Sequence, residues 1–264
     1  MSTAHEIDYK IFGEELQYVQ IELDPQETAI AESGAFMMMD DGIQMQTIFG
    51  DGSQQQQSGG LLNKLFSAGK RLLVGESLFM TAFTNIGSGK KRVSFAAPYT
   101  GKIIPLDLRR YGGKIIAQKD AFLCAAKGVS IGIEFQRKLG TGLFGGEGFI
   151  MEKLEGDGMA FMHAGGYVFE KTLVPGELLR IDTGCLVAYT STVNFNIEFV
   201  PGVRNKLFGG EGLFFATLRG PGTIWIQSLP ISRLAGRILE YATTNRKEEG
   251  SILGGLGNLF DGRE

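Results

Sequence analysis

The chain has few of the residues from which enzymes build reaction centres. It contains two histidines and two cysteines among 264 residues. Neither His5 nor His163 belongs to an obvious nucleophile or metal-ligand motif. Cys124 and Cys185 lie inside predicted strands and are interpreted as buried, reduced thiols that act as small hydrophobic side chains. We therefore expect no catalytic residue, no cofactor, no metal and no enzymatic activity.

The sequence also lacks a long apolar segment and a strong charge of one sign. No apolar stretch reaches the ~18 residues that indicate a membrane-spanning helix, and Glu6 and Asp8 stand where a signal peptide would have its apolar core. The formal net charge is -3 and the pI is about 5.6, whereas a general nucleic-acid binder has a strongly basic surface. We therefore expect a cytoplasmic protein that does not take nucleic acid as its general partner.

Glycine, in contrast, is abundant, and part of it belongs to a phrase that occurs three times. The chain contains 39 glycines, about twice the usual share, as a protein with many tight turns requires. A short phrase with Gly-Glu at its centre stands at residues 73–79, 144–150 and 208–214. Because the spacing of this Gly-Glu phrase is nearly constant, the chain is interpreted as one β-rich unit copied three times in tandem.

Other blocks accompany the Gly-Glu phrase in the same order in each copy. An apolar block, first present at residues 30–37, precedes a segment of strict alternation such as residues 43–48. This alternation is typical of half-buried strands. A Gly-x-Gly turn between two further strands, such as residues 87–89, completes each copy. The methionines at residues 37–39 are interpreted as core-filling side chains.

These patterns predict an all-β fold of three tandem repeats, each a β-sandwich or jelly-roll-like unit, in a pseudo-threefold arrangement. One copy of about 65 residues would be marginally stable alone, so the copies are expected to share a core. A short amphipathic helix is inserted in the first repeat, and a further helix follows the third. The predicted units are residues 1–97, 98–164, 165–230 and the C-terminal segment 231–264.

The insertion in the first repeat has the pattern of a short amphipathic helix near residues 61–73. Its polar side carries cationic residues, including Lys64 and Arg71. Such a helix fits either an anionic membrane surface or an exposed sheet edge of its own fold. Both sites would stabilise it alike, at roughly 1.5–3 kcal/mol per buried large apolar side chain. The candidate membrane or partner contacts are Leu61, Leu62, Leu65, Phe66, Leu72 and Leu73.

The C-terminal segment contains two different patterns. Apolar residues from Ile231 onwards have helical spacing and predict a helix over residues 232–243 that packs against the β-strands. The last residues are rich in glycine and leucine, and the glycines disfavour a stable isolated helix. This tail is expected to contact another subunit or a lipid surface through Leu256, Leu259 and Phe260.

Charged side chains flank or belong to the Gly-Glu phrase. Basic residues precede it, and they are either anion contacts or solvated and Glu-paired side chains that contribute roughly 0–1 kcal/mol each. The candidate anion contacts are Arg137, Lys138, Arg204 and Lys206. Three carboxylates brought together without a cation would repel one another and lose hydration. The glutamates of the phrase are therefore interpreted as structural turn carboxylates: Glu76, Glu147 and Glu211.

Several of these segments together resemble a known family. They are the strand at residues 9–12, the Glu-Ser-Gly-Ala-Phe-Met block at 32–37, the Leu-Val-Pro-Gly-Glu segment at 173–177, the Gly-Glu phrase and the glycine- and leucine-rich tail. The combination is similar to the altered-inheritance-of-mitochondria family, whose bacterial members form a domain of unknown function. The resemblance implies three β domains in pseudo-threefold arrangement, similar to the domain of the tryptophan RNA-binding attenuation protein. For mitochondrial relatives it implies a role in inner-membrane organisation, and it supplies no catalytic residues.

Two functional hypotheses of different classes follow. The favoured one is a non-enzymatic, homo-oligomeric β scaffold or assembly protein, with a trimer as one candidate state and with peripheral contact to a membrane. The alternative is a binding module for a small ligand or single-stranded RNA, which is suggested by fold analogy alone.

Overall fold

Alternating apolar and polar residues build the described part of this protein mostly from β-strands. The structure, a computed structural model, describes residues 3–32, 34–49, 79–137, 148–204 and 212–241. These ranges contain nineteen strands and a helix, α1, over residues 231–241. The predicted all-β class and the predicted C-terminal helix are therefore confirmed.

The nineteen strands are between four and eleven residues long. They are β1 (Asp8–Phe12), β2 (Tyr18–Leu23), β3 (Thr28–Glu32), β4 (Phe36–Met39), β5 (Ile43–Phe49), β6 (Phe79–Asn85), β7 (Lys91–Ala96), β8 (Gly101–Asp107), β9 (Lys114–Gln118), β10 (Phe122–Ala126), β11 (Ser130–Arg137), β12 (Phe149–Glu155), β13 (Met159–Gly165), β14 (Val168–Leu173), β15 (Leu178–Asp182), β16 (Leu186–Thr190), β17 (Asn194–Arg204), β18 (Gly212–Arg219) and β19 (Gly222–Gln227).

The strands form four sheets, which we name A to D. Sheet A has the order β1-β2-β7-β4, and sheet D has the order β15-β18-β17. Sheet B has the order β5-β6-β3-β10-β13-β8, and sheet C has the order β11-β12-β9-β16-β19-β14. The order in sheet C is that of sheet B with every strand number raised by six. Neighbouring strands are antiparallel, as in the β3–β10 and β9–β16 pairs at the centres of sheets B and C.

The sheets stack because successive residues of their strands face opposite sides. Ala29 and Ala31 of β3 belong to the apolar cluster between sheets A and B, whereas Ile30 belongs to the cluster between sheets B and C. A third cluster, which includes Ile116 and Ala216, lies between sheets C and D. The sheets therefore follow one another in the order A, B, C, D, and sheets B and C bury apolar side chains on both of their faces.

The buried apolar residues of the described ranges thus form three clusters between successive sheets. The sequence predicts instead a shared core around a pseudo-threefold axis, and this packing does not confirm that arrangement. The predicted boundaries after residues 97, 164 and 230 stay predictions.

The N-terminal segment is bound to a part of the chain far from it in sequence. The backbone N–H groups of Thr3 and Ala4 donate to the carboxylate of Asp157 at 2.7 and 2.9 Å, and the N–H of His5 donates to the carbonyl of Lys127 at 2.8 Å. A Cβ at Gly158 would lie 2.6 Å from the Cβ of Ala4. This close approach requires glycine at that position.

Helix α1 covers most of the predicted range but does not pack as predicted. Its first turn is attached to the strands, since Arg233 donates to the carbonyl of Ser228 at 3.2 Å and lies 3.7 Å from the carboxylate of Asp182. Farther along, Ile238 is 60% exposed and Tyr241 is 73% exposed. The prediction that the apolar residues of this helix pack against the strands is therefore wrong for its second half.

Candidate functional site

Most of the side chains predicted as contacts lie outside the described residues. These are Leu61, Leu62, Leu65, Phe66, Leu72 and Leu73 of the inserted helix; Leu256, Leu259 and Phe260 of the tail; Lys138 and Lys206; and Glu76, Glu147 and Glu211. For Arg204 the backbone alone is described. Their roles as membrane, partner, anion or turn contacts stay predictions.

Arg137 is the predicted anion contact whose side chain the structure describes. It is exposed at the end of β11, and its Nη1 donates to the backbone carbonyl of Ile197 in β17 at 3.2 Å. This hydrogen bond connects sheet C to sheet D. Part of the hydrogen-bonding capacity of Arg137 therefore serves the fold, and contact with an external anion stays a prediction.

The largest difference between sequence and structure concerns β4, which forms an edge of sheet A. Met37, Met38 and Met39 are 48%, 42% and 40% exposed, so the prediction that they fill the core is wrong. The reason is that β4 has a neighbouring strand, β7, on one side. Side chains of an interior strand are shielded from both sides, whereas those of an edge strand are shielded from one.

Apolar surface continues from β4 onto the neighbouring part of sheet B. Phe36 is 40% exposed, and its ring stacks on that of Phe83 with centroids 5.5 Å apart. Met45, which is 46% exposed, is the cross-strand partner of Phe83. We call the exposed residues of this surface the β4 patch: Phe36, Met37, Met38, Met39 and Met45. Apolar side chains around an open strand edge are typical of an interaction site.

Strand β15 forms an edge of sheet D. It pairs with β18, where Ile181 lies opposite Ala216. Leu178 at the start of β15 is 37% exposed. Arg180 in its middle makes an ion pair with Glu198 of the same sheet, with Nε and Oε2 3.3 Å apart. The β15 edge therefore presents apolar and backbone groups and a charge that already has a partner.

Strand β4 shares a backbone irregularity with two interior strands. Its pairing with β7 shifts register between Phe36 and Met38. In β10 the pairing with β13 shifts between Phe122 and Cys124, and in β16 the pairing with β19 shifts between Leu186 and Ala188. The repeated apolar blocks align these positions when Ala31, Ala117 and Ile181 are taken as equivalent, because the shifts begin five residues after each of them, at Phe36, Phe122 and Leu186. Edge strand β4 and interior strands β10 and β16 therefore have the same local pairing pattern.

Two carboxyl groups are enclosed between sheets B and C. Glu152 in β12 is 1% exposed, and its Oε1 has no hydrogen-bond partner. The pKa of Glu152 is raised to about 8, mainly by burial and to a smaller extent by the nearby charge of Glu32. The pKa of Glu32 is raised to about 7, mainly by burial and to a smaller extent by the charge of Asp120. Lys119 lowers both values, but its effect is smaller than that of burial.

The sequence analysis missed this pair of glutamates, although Glu152 leaves a signal. It stands between Ile150 and Leu154 on one face of β12, and all three residues are buried. A glutamate in an alternating row of apolar residues indicates a buried carboxyl group. In the parts of the chain that the structure covers, no group of three or more His, Cys, Asp or Glu side chains is placed to hold a metal ion. The raised pKa values of the two glutamates make the stability of the folded chain depend on pH.

His163 is a second enclosed titratable group. It is 1% exposed, and its ring contacts the ring of Tyr99 edge to face with centroids 4.4 Å apart. Neither ring nitrogen makes a hydrogen bond of acceptable geometry. Burial lowers the pKa of His163 to about 4, which the backbone of Tyr99 offsets in part. His163 is therefore neutral at pH 7 and enclosed in the protein.

Two further features bear on the expectations from sequence. Cys124 and Cys185 are both free, and Cys124 is buried as predicted, whereas Cys185 is partly buried and lies 3.7 Å from Nη2 of Arg233. Burial raises the pKa of both thiols, so neither is an activated nucleophile. Within the residues placed by the structure, no helix has both the length and the apolar character needed to cross a membrane.

Two proteins of Streptococcus pyogenes are similar to this chain. A protein of Streptococcus pyogenes serotype M6, described as uncharacterised, is 29% identical over 231 residues, which are 86% of this chain and 87% of that protein. A crystal structure of a Streptococcus pyogenes protein matches with a TM-score of 0.66 at 22% identity and covers 89% of this chain and 100% of that chain. This second likeness shows a shared fold.

A family profile described as mitochondrial biogenesis AIM24 matches residues 9–229. The match extends from β1 to the end of β19 and so includes all four sheets. The family resemblance predicted from sequence is thereby confirmed, while the likeness to the domain of the tryptophan RNA-binding attenuation protein stays a prediction. The chain belongs to the AIM24 mitochondrial biogenesis family.

Proposed function

We propose that the protein is a non-enzymatic scaffold that assembles from copies of itself through its sheet edges. The observation that carries this proposal is the β4 patch, where five large apolar side chains, each at least 40% exposed, lie at or beside an edge strand. An open strand edge presents unpaired N–H and C=O groups to other chains. Because β4 carries methionine and phenylalanine and neither lysine nor proline, the edge is not protected against such pairing.

Three tandem β units with a likeness to the domain of the tryptophan RNA-binding attenuation protein are part of this proposal. Two observations support the repeat: the strand order that recurs with an offset of six and the register shift that β4, β10 and β16 share. In repeat proteins each unit contacts its neighbours, and the terminal units have an uncovered side unless a cap or another chain covers it.

The burial of two titratable groups supports the non-enzymatic part of the proposal. Burial shifts the pKa of Glu152 to about 8 and that of His163 to about 4, and each residue is 1% exposed. A substrate would reach them only after the sheets separate. Perturbed pKa values at such positions follow from burial and need no catalytic role.

We place this scaffold in the cytoplasm, with peripheral contact to a membrane. The exposed Ile238 and Tyr241 of α1 support a contact surface in the C-terminal segment, to which the tail predicted from sequence also belongs. The inserted helix predicted near residues 61–73 supplies a second, cationic contact. The description of the family as one of mitochondrial biogenesis agrees with an assembly role near a membrane.

Measurement of the molecular mass of the full chain tests the proposal. We expect size-exclusion chromatography with light scattering, and native mass spectrometry, to show oligomers with a whole number of copies. A monomer at every concentration up to about 100 μM, where an interface with a Kd of 1 μM would be largely formed, would contradict self-assembly. The same mass spectra decide the alternative function, because a binding module would retain RNA or a small ligand.

A further inference from the structure

Sheets A and D each contain one half of the strand order that sheets B and C contain in full. In sheet B the half β5-β6-β3 joins the half β10-β13-β8 through the β3–β10 pair. In sheet C the β9–β16 pair makes the same junction. Sheet D ends in β15, at the place of β3 and β9, and sheet A ends in β4, at the place of β10 and β16. Sheet D is thus a first half and sheet A a second half.

The two internal junctions show the geometry that the open ends would adopt. Each junction is antiparallel and consists of three residue pairs. In sheet B, Ala31 lies opposite Cys124, and in sheet C, Ala117 lies opposite Ala188. Cys124 and Ala188 directly follow the register shifts of β10 and β16. Met38 directly follows the shift of β4, so the β4 edge has the local form of a strand that accepts a neighbour.

The two open ends of one chain are too far apart to join each other. Sheets B and C stand between sheets A and D, as the three apolar clusters show. Stacked sheets lie ~10 Å apart, which places sheets A and D roughly 30 Å from each other. The partner of each end is therefore on another molecule, and a second copy of this chain supplies the matching half.

We propose that β15 of one copy pairs antiparallel with β4 of a second copy, so that sheets D and A join into one sheet. Its order is β17-β18-β15-β4-β7-β2-β1, which extends the order of sheets B and C across the contact. This inference rests on the proposed self-assembly and specifies its surface. By the register of the internal junctions, Ile181 lies opposite Met38, and Arg180 lies opposite Met39.

The contact satisfies the groups that both edges expose. It pairs the open backbone groups of β4 and β15 and covers part of the β4 patch. No unpaired charge is enclosed, because Arg180 keeps its ion pair with Glu198. Since different surfaces of the two copies meet, the contact is head to tail, and such contacts form a closed ring or an open filament according to the rotation per copy. A trimer is one of the closed forms.

Lysine substitutions in β4 test whether this strand forms the contact between copies. Met38 and Met39 are exposed, so the double variant Met38→Lys, Met39→Lys leaves the core of sheet A unchanged, while it adds the residue that most often protects natural edges. We expect the apparent Kd of self-association to rise at least about tenfold, with an unchanged circular dichroism spectrum. The matched control is Phe169→Lys, because Phe169 is 49% exposed on β14, an edge strand of sheet C. Equal effects of both variants would overturn the proposal.

Disulfide trapping between different variants tests the partner strand and the register. In a Cys185→Ser background, Met39→Cys is placed in one preparation and Arg180→Cys in another. Mild oxidation of the mixture should give about tenfold more linked dimer than either preparation alone, because the bond requires Cα atoms within about 7 Å. Lys10→Cys on β1, the opposite edge of sheet A, replaces Met39→Cys as the control.

The outcomes separate this inference from the proposed function. Oligomers of the unaltered chain without the specific disulfide would refute the β15–β4 contact and leave self-assembly intact. A monomeric chain at all concentrations would refute both. The specific disulfide together with dissociation of the lysine variant would establish the head-to-tail contact.

Discussion

Replacement of Glu152 by glutamine should remove much of the pH dependence of the stability of this protein. In the folded protein the pKa of Glu152 is about 8 and that of Glu32 about 7, while both have the ordinary value of 4.5 in the unfolded chain. Glutamine keeps the size of the protonated side chain and has no acidic proton. The variant therefore isolates the contribution of one ionisation.

The sign follows from the direction of the shift. A raised pKa means that the folded state holds its proton more tightly, so the stabilisation is complete below pH 4.5 and is lost as the pH rises to about 8. One pKa unit corresponds to about 1.4 kcal/mol, which gives an upper bound near 5 kcal/mol for Glu152. Movement of Lys119 and entry of water relieve part of this penalty, and we expect about 2–4 kcal/mol.

Urea unfolding between pH 5 and pH 9 provides the assay. Trp225 is the single tryptophan and is fully buried, so its fluorescence reports the loss of the packing between sheets. At pH 5 the unaltered protein and Glu152→Gln should have similar free energies of unfolding, and at pH 9 the variant should be the more stable by the stated amount. A control, Glu198→Gln, changes a carboxylate that is partly exposed in an ion pair. Parallel pH profiles for the unaltered protein and Glu152→Gln would refute the reasoning.

Two further predictions concern a buried amide and the inserted helix. Asn85 is fully buried, and its Nδ2 donates to the carbonyls of Leu23 and Gly89, each at 2.8 Å. Because these carbonyls lose their donor, Asn85→Ala should lower the free energy of unfolding by about 2–4 kcal/mol. A decrease below about 0.5 kcal/mol in urea unfolding would contradict this prediction. If the helix near residues 61–73 contacts lipid, Leu65→Glu should reduce co-sedimentation with anionic vesicles at least about fivefold. The control Leu16→Glu, at a residue that is 66% exposed, should leave co-sedimentation unchanged. Negligible co-sedimentation of the unaltered protein would exclude the membrane contact.

The positions of individual strands could be predicted from the sequence because alternation is a local property. The alternating segment at residues 43–48 lies within β5 (Ile43–Phe49), and the alternating segment at residues 193–198 overlaps the first part of β17 (Asn194–Arg204). The Gly-x-Gly turn at residues 87–89 lies between β6 and β7. Local hydrogen bonding and side-chain direction suffice for these features.

The partners of the strands could not be predicted, because pairing across a sheet joins distant segments. Nothing in the alternation of β3 indicates that it pairs with β10, where Ala31 lies opposite Cys124. The same limit explains the error at Met38, whose exposure depends on the neighbour that β4 lacks in this sheet. For Glu152 the alternating position was visible, but its pKa depends on Glu32, which belongs to another sheet.

Sheet B contains strands that are far apart in the sequence, and this separation affects how the protein folds during its synthesis. Strand β3 ends at Glu32 and its neighbour β10 begins at Phe122, so a ribosome that adds about 5–20 residues per second leaves the edge of β3 open for roughly 5–20 s. During that interval the nascent chain exposes a strand edge that other nascent chains can pair with. Residues 3–5 are fixed still later, because Asp157 must leave the ribosome first. We therefore expect slower translation over this interval to lengthen the exposure of the β3 edge and to favour wrong pairing between nascent chains.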